Sequence, residues 1–155
     1  MPKVELSEIP VRTGSRYPAR FQQSNGDTTL RESQAVALGL TAFAATRTVL
    51  PPGAASSLRH YHTDEDELVI VVSGELVMLT DAGETPMRAG DIASFPKGVA
   101  DAHCFVNRSA APAVLIAVGD NRDGDTCFYP DIGMRTELTS YVSVETGEPF
   151  PDDRA

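Results

Sequence analysis

Three histidines stand out as groups that could do chemistry in this chain of 155 residues: His60 and His62 in Arg59-His60-Tyr61-His62, and His103 in Asp101-Ala102-His103-Cys104. Histidine is the commonest metal ligand. Strand side chains alternate faces, so on a strand His60 and His62 project to one side with their bases about 7 Å apart, and both imidazoles can lean onto one ion. Tyr61 then points away. The acidic run Asp64-Glu65-Asp66-Glu67 follows at once and supplies an oxygen ligand. Three neutral imidazoles and a carboxylate around a divalent ion leave one net positive charge, and an octahedral metal keeps open positions for a substrate. Such a mixed nitrogen and oxygen site accepts Mn, Fe, Co, Ni or Zn.

Elements to position these side chains are short and β-like. Leu38 to Leu50 is rich in Thr, Val, Leu and Phe and ends at Pro51-Pro52-Gly53, a strand closed by a sharp turn. The run Glu67 to Val72 is β-branched and stops at Ser73-Gly74, and Glu75 to Thr80 turns through Asp81-Ala82-Gly83 into Thr85 to Arg88. Further strands are expected at Ile92 to Phe95, at Ala102 to Val106 with the third histidine, and at Ala113 to Val118. Short strands with a turn every few residues predict an all-β barrel or jelly roll. The division expected is an irregular arm over 1–37, a barrel over 38–120, and a tail over 121–155 without clear periodicity.

Composition narrows the function classes. With 41% hydrophobic and 23% charged residues the chain reads as one ordinary globular domain. Its net charge of −9 repels a phosphate backbone, and no basic helix-turn-helix is evident, so no nucleic-acid partner is expected. Apolar stretches fall well short of the roughly 20 residues that span a bilayer. The start lacks an apolar leader-like region, so the expected location is cytoplasmic. Cys104 and Cys127 are then free thiols, and Cys104, opposite His103 in strand parity, is a small buried residue rather than a ligand. Leu68 to Val72 is apolar on both faces. One face lines the interior and the other suits a second subunit, hence an expected homodimer, to which the arm could add a strand.

The spacing Gly53-x6-His60-x-His62-x4-Glu67-x6-Gly74 closely resembles the first motif of the cupin superfamily, and Gly90-x5-Pro96-x-Gly98-x4-His103-x3-Asn107 resembles the second. The stretch before His60 is one residue longer than that pattern and the stretch before His103 two longer, both in turns that tolerate length changes. The resemblance covers residues 38 to 120. It implies a double-stranded β-helix, or jelly-roll barrel, with one divalent transition metal held inside by His60, His62, Glu67 and His103. Asp66 is the rival oxygen ligand.

Arg47 stands amid Ala, Thr, Val and Leu, so it is a candidate to point into the barrel and grip a carboxylate or phosphate. Phe105 shares parity with His103 and is expected to line the same cavity, and Tyr129 is a candidate to fold over the barrel mouth. An ion with two adjacent free positions stabilises an enediolate as a Lewis acid. Single-domain cupins of this size resemble proteins described as sugar-phosphate isomerases, which implies isomerase-type action on a small polar metabolite. Alternatives are a dioxygenase using the same site and a small-ligand binding barrel without turnover.

Overall fold

The computed structural model describes residues 3–120 and 124–151. Strands in chain order are β1 (Arg12–Thr13), β2 (Glu32–Ala35), β3 (Phe43–Leu50), β4 (Tyr61–His62), β5 (Glu67–Ser73), β6 (Glu75–Thr80) and β7 (Gly83–Arg88). They continue as β8 (Ile92–Phe95), β9 (Cys104–Val106), β10 (Ala113–Asp120), β11 (Cys127–Tyr129), β12 (Met134–Glu137) and β13 (Ser140–Ser143). Every ladder between these strands is antiparallel. A six-stranded sheet runs β1-β2-β3-β10-β5-β8, and a three-stranded sheet runs β7-β6-β9. Among the described residues no helix is long and apolar enough to cross a membrane.

The two sheets close on each other as the expected jelly-roll barrel. Alternation along β5 aims Val69 and Val71 inward while Leu68 and Val72 stay exposed, and β3 and β10 add Leu50, Ala113 and Leu115 to the same interior. From the facing sheet come Leu76, Met87 and Phe105, which complete one continuous core. Burying such side chains supplies on the order of 1.5–3 kcal/mol each before conformational entropy is subtracted. The outer face of β5 and β8 carries the exposed apolar stripe Leu68, Val72 and Ile92.

The described parts of the arm and tail hold more regular structure than their sequence suggests. The arm contributes β1 and β2, and β2 pairs with β3 of its own chain from Glu32↔Val49 to Ala35↔Thr46. After residue 123 the chain forms β11, β12 and β13, which join β4 in a third, four-stranded sheet. Cys127 lies opposite His62 and Phe128 opposite Tyr61 in that ladder. Tyr17 from the arm then packs with Leu58, Cys127, Tyr129 and Met134, so arm and tail share one apolar cluster. The first long strand starts later than the sequence implies, at Phe43, because Gly39 turns the chain with φ of +73° and leaves Leu38 and Leu40 exposed.

Gly74 sits in the bend between β5 and β6 with φ of +79°, and a Cβ there would lie 2.8 Å from Ala113 Cα and 3.0 Å from Pro112 O. Gly53 has φ of +83° but open space around it. Gly74→Ala therefore carries both dihedral strain and a backbone collision, and should destabilise by about 2 kcal/mol or more, against about 1 kcal/mol for Gly53→Ala. Urea unfolding of the two variants checks this; equal losses would show that Ala113 gives way.

Candidate metal centre

β4 and the turn before β9 bring the histidines together through the backbone. His60 N–H donates to His103 O at 3.0 Å, and His103 N–H donates to His60 O at 2.8 Å, a two-way bridge that sets both Cα atoms side by side. The imidazoles follow, with ring centroids 4.8 Å apart for His60 and His103 and 5.1 Å for His60 and His62. Gly98 N–H donates to His62 O at 2.9 Å, which ties the Pro96-Lys97-Gly98 turn to the same strand. Glu67, the first residue of β5, reaches across to His103 with Oε2 at 2.7 Å from Nε2.

Each ring has a distinct anchor. His60 Nδ1–H donates to Leu58 O at 2.9 Å, since a carbonyl can only accept, and its Nε2 keeps a bare lone pair. His62 Nδ1 lies 2.6 Å from Asp125 Oδ2, a residue that also accepts from the Asp64 N–H at 2.8 Å. A carboxylate behind a ligand imidazole fixes its orientation and raises its basicity. His103 is buried, stacked on Phe95 with centroids 3.4 Å apart and planes 8° from parallel, and its Nδ1 has no partner among the described residues.

Electrostatics keep His60 and Glu67 in the forms that bind a cation. Burial lowers His60 to about 4, helped by the His103 and His62 charges against the opposing pull of Glu67. For Glu67, burial pushes upward, but the His103 hydrogen bond and the charges of the three imidazoles outweigh it, and the carboxyl ends below its usual range. A neutral His60 beside an ionised Glu67 suits a divalent ion. Burial pushes the Cys104 thiol up to about 12 and raises Cys127 as well, so both stay protonated.

The donor atoms of His60, Glu67 and His103 all lie within 4.8 Å of one another. His62 lies outside this set: its groups of the same tightness are with His60 and Cys127, and with Glu65 and Asp125. Two ligands side by side on one octahedral ion stand about 3 Å apart, so the Glu67–His103 contact is already at the spacing a shared cation sets. The residues present fit a divalent transition metal. Asp66 does not compete, because its Oδ1 accepts from the Lys97 N–H at 2.9 Å on the outside of the barrel.

His60, Glu67 and His103 border a cavity of about 250 Å³, with Phe105 in its wall as strand parity implies. Arg47 is displaced from the place expected of it. Thr46 and Thr48 take the inward positions of β3, so Arg47 faces the other side of the sheet and donates from Nη1 to Gln34 Oε1 at 3.1 Å. The arginine in the cavity is Arg31, which comes from the arm together with Tyr17. Tyr129 is buried with its ring 5.8 Å from that of His60. Sequence reasoning missed Arg31, Asp125 and Cys127. Their only signal is chemical type in segments with no periodicity.

A cupin domain family model matches residues 46–119. A sugar phosphate isomerase of the cupin superfamily from Silicibacter pomeroyi is 39% identical, covers 98% of this chain and 94% of its own, and superposes with a TM-score of 0.81. A candidate sugar phosphate isomerase from Acidithiobacillus ferrooxidans is 26% identical over 79% of this chain and 76% of its own, with a TM-score of 0.66. A predicted oxalate decarboxylase from Thermotoga maritima is 25% identical over 77% of this chain and 98% of its own, with a TM-score of 0.60. Comparison with curated proteins gave no significant match. The chain belongs to the cupin superfamily.

The state of His60 gives the metal-free protein a defined acid sensitivity. Its folded value is about 4 against an ordinary 6.5, so the unfolded chain takes up a proton first as pH falls. Stability is therefore full above the unfolded value and declines from there down to the folded one, by up to about 3 kcal/mol. Chemical denaturation in chelator across that window checks the slope, which His60→Asn should reduce.

Proposed function

We propose that this chain is a metal-dependent enzyme acting on a small polar metabolite by isomerase-type proton-shift chemistry. His60, His62, Glu67 and His103 would hold one divalent ion of the Mn to Zn series. The observation that carries the reading is the convergence of His60, Glu67 and His103, with donor atoms within 4.8 Å, on the wall of one cavity. When bound, the cation supplies Lewis acidity to a hydroxy-carbonyl substrate. The residues contribute the rest. Leu58 O and Asp125 hold the His60 and His62 rings in place, Phe95 packs flat against His103, and the hydroxyls of Thr46, Thr48, Ser56 and Ser57 offer hydrogen bonds to a polar substrate. Isomerase chemistry, in preference to others, draws its support from the 39% identical relative.

One observation favours a second reading, a binding barrel without turnover. Among the described residues, Glu67 is the only carboxylate in the cavity wall, and it is paired with His103. Glu65, raised to about 7 chiefly by burial and by the charges of Glu67, Asp125 and Asp120 against that of His62, borders a separate crevice beside His62 and His103. A homodimer remains part of the proposal, supported by the exposed Leu68, Val72 and Ile92 stripe that a second copy would cover.

His62→Ala should abolish stoichiometric metal in elemental analysis of the purified protein, while Cys104→Ala should leave it intact; metal lost with the cysteine change would overturn the ligand set. With the metal-loaded protein, aldose and ketose phosphates incubated in deuterium oxide should gain label at the carbon next to the carbonyl. Binding without any exchange would favour the non-catalytic barrel, and uptake of dioxygen the dioxygenase alternative. Analytical ultracentrifugation should give twice the chain mass, and Ile92→Lys should shift it toward one.

A further inference from the structure

We propose that Arg31 is the anion-holding residue of the barrel cavity, and that the ligand is a small hydroxylated compound bearing a carboxylate or a phosphate. This deepens the metal-centre reading above and rests on it. Arg31 immediately precedes β2, in a segment that lies outside the region matched by the cupin domain model. Its Nε donates to Gly14 O at 3.3 Å and its Nη1 donates to Ser56 O. One brace comes from the arm and the other from the segment that leads into His60.

Nη2 has no protein acceptor, and the guanidinium forms no ion pair, among the described residues. Its other neighbour is the Tyr17 ring, 5.8 Å from Cζ to centroid. A half-buried cation held by two carbonyl dipoles and a ring face is incompletely compensated, and an oxyanion relieves that cost. The planar guanidinium fork also matches carboxylate and phosphate oxygens better than a point charge does.

The surroundings specify the remainder of the ligand. Thr46 and Thr48 from β3, with Ser56 and Ser57, present hydroxyls to the same space, while His60, Glu67 and His103 form part of its wall. Val69, Leu115 and Ala117 leave an apolar strip between them. At about 250 Å³ the cavity falls below the roughly 300 Å³ floor of drug-sized sites, so a compact metabolite fits and a large one does not. An anion on Arg31 leaves its hydroxyl or carbonyl oxygens to turn toward the histidines in the same wall.

Isothermal titration of the purified protein with inorganic phosphate, glucose 6-phosphate, gluconate and glucose tests this. The anionic sugars should bind at least tenfold tighter than glucose, and whichever of the ester and the carboxylate binds tighter identifies the oxyanion. Arg31→Gln should bring them to the glucose level with metal content unchanged. Arg31→Lys keeps the charge without the fork, should retain part of the preference, and serves if the glutamine variant does not fold. Wild type that prefers glucose, wild type that binds none of the four, or variants with undiminished anion preference would each overturn the assignment. Metal is measured on the same samples: a wild type with none sinks the metal-centre reading, whereas a filled site indifferent to Arg31 sinks only this one.

Discussion

The two-way backbone bridge between His60 and His103 is the contact on which the centre depends. It joins two segments more than forty residues apart in the chain and brings their imidazoles to 4.8 Å between centroids, tilted 42° to each other. Glu67 then needs only to begin β5 in register with β8 and β10 to arrive beside His103. Backbone pairing in a packed barrel is stiff, and stiffness matters because three desolvated bases and a carboxylate gain nothing from proximity unless something positive is shared. The geometry thus stores a preference for a cation in the strand pairing itself.

Around that bridge the ends of the chain complete what the barrel begins. The tail supplies Asp125 behind His62 and Cys127 opposite it, and the arm supplies Tyr17 and Arg31. Neither belongs to the span matched by the cupin domain model, yet the 39% identical relative superposes over 98% of the chain, arm and tail included. A barrel of this kind is a common frame for many chemistries, and specificity resides in what is grafted onto its rim. Here the grafts are anchored by a shared apolar cluster of Tyr17, Leu58, Cys127, Tyr129 and Met134, which locks the two ends to each other.

Much of this was legible in the residues. Alternation in β5, the hairpin at Asp81-Ala82-Gly83, and the spacing of His60, His62, Glu67 and His103 all announce themselves, because local pattern and global fold agree there. Arg47 misled for a physical reason: one charged residue in an apolar strand has two faces to choose from, and only the pairing of β3 with β2, which supplies Gln34, decides between them. The tail strands are three or four residues long and mixed in polarity, too short to show a period, and the partner of β11 is a two-residue strand far back in the chain. Arg31 was hidden in the same way, since its place depends on long-range contacts with Gly14 and Ser56.

Charge sharpens the contrast between surface and interior. The chain carries −9 overall, so its far field repels the anionic ligand that Arg31 suits. At physiological salt that field is screened beyond about 8 Å, whereas a guanidinium in the cavity wall acts at short range, where salt screens it less. Affinity for an anion is then set by the few groups it touches and little by the protein's total charge. The same locality explains how Glu67 stays ionised, held by neighbouring imidazoles, while Glu65 is raised to about 7 by burial first and then by Glu67, Asp125 and Asp120 against the opposing charge of His62. Two carboxylates two positions apart in sequence are driven in opposite directions by what each can reach: Glu67 has three imidazoles and a hydrogen bond from His103, Glu65 has His62 alone against three carboxylates.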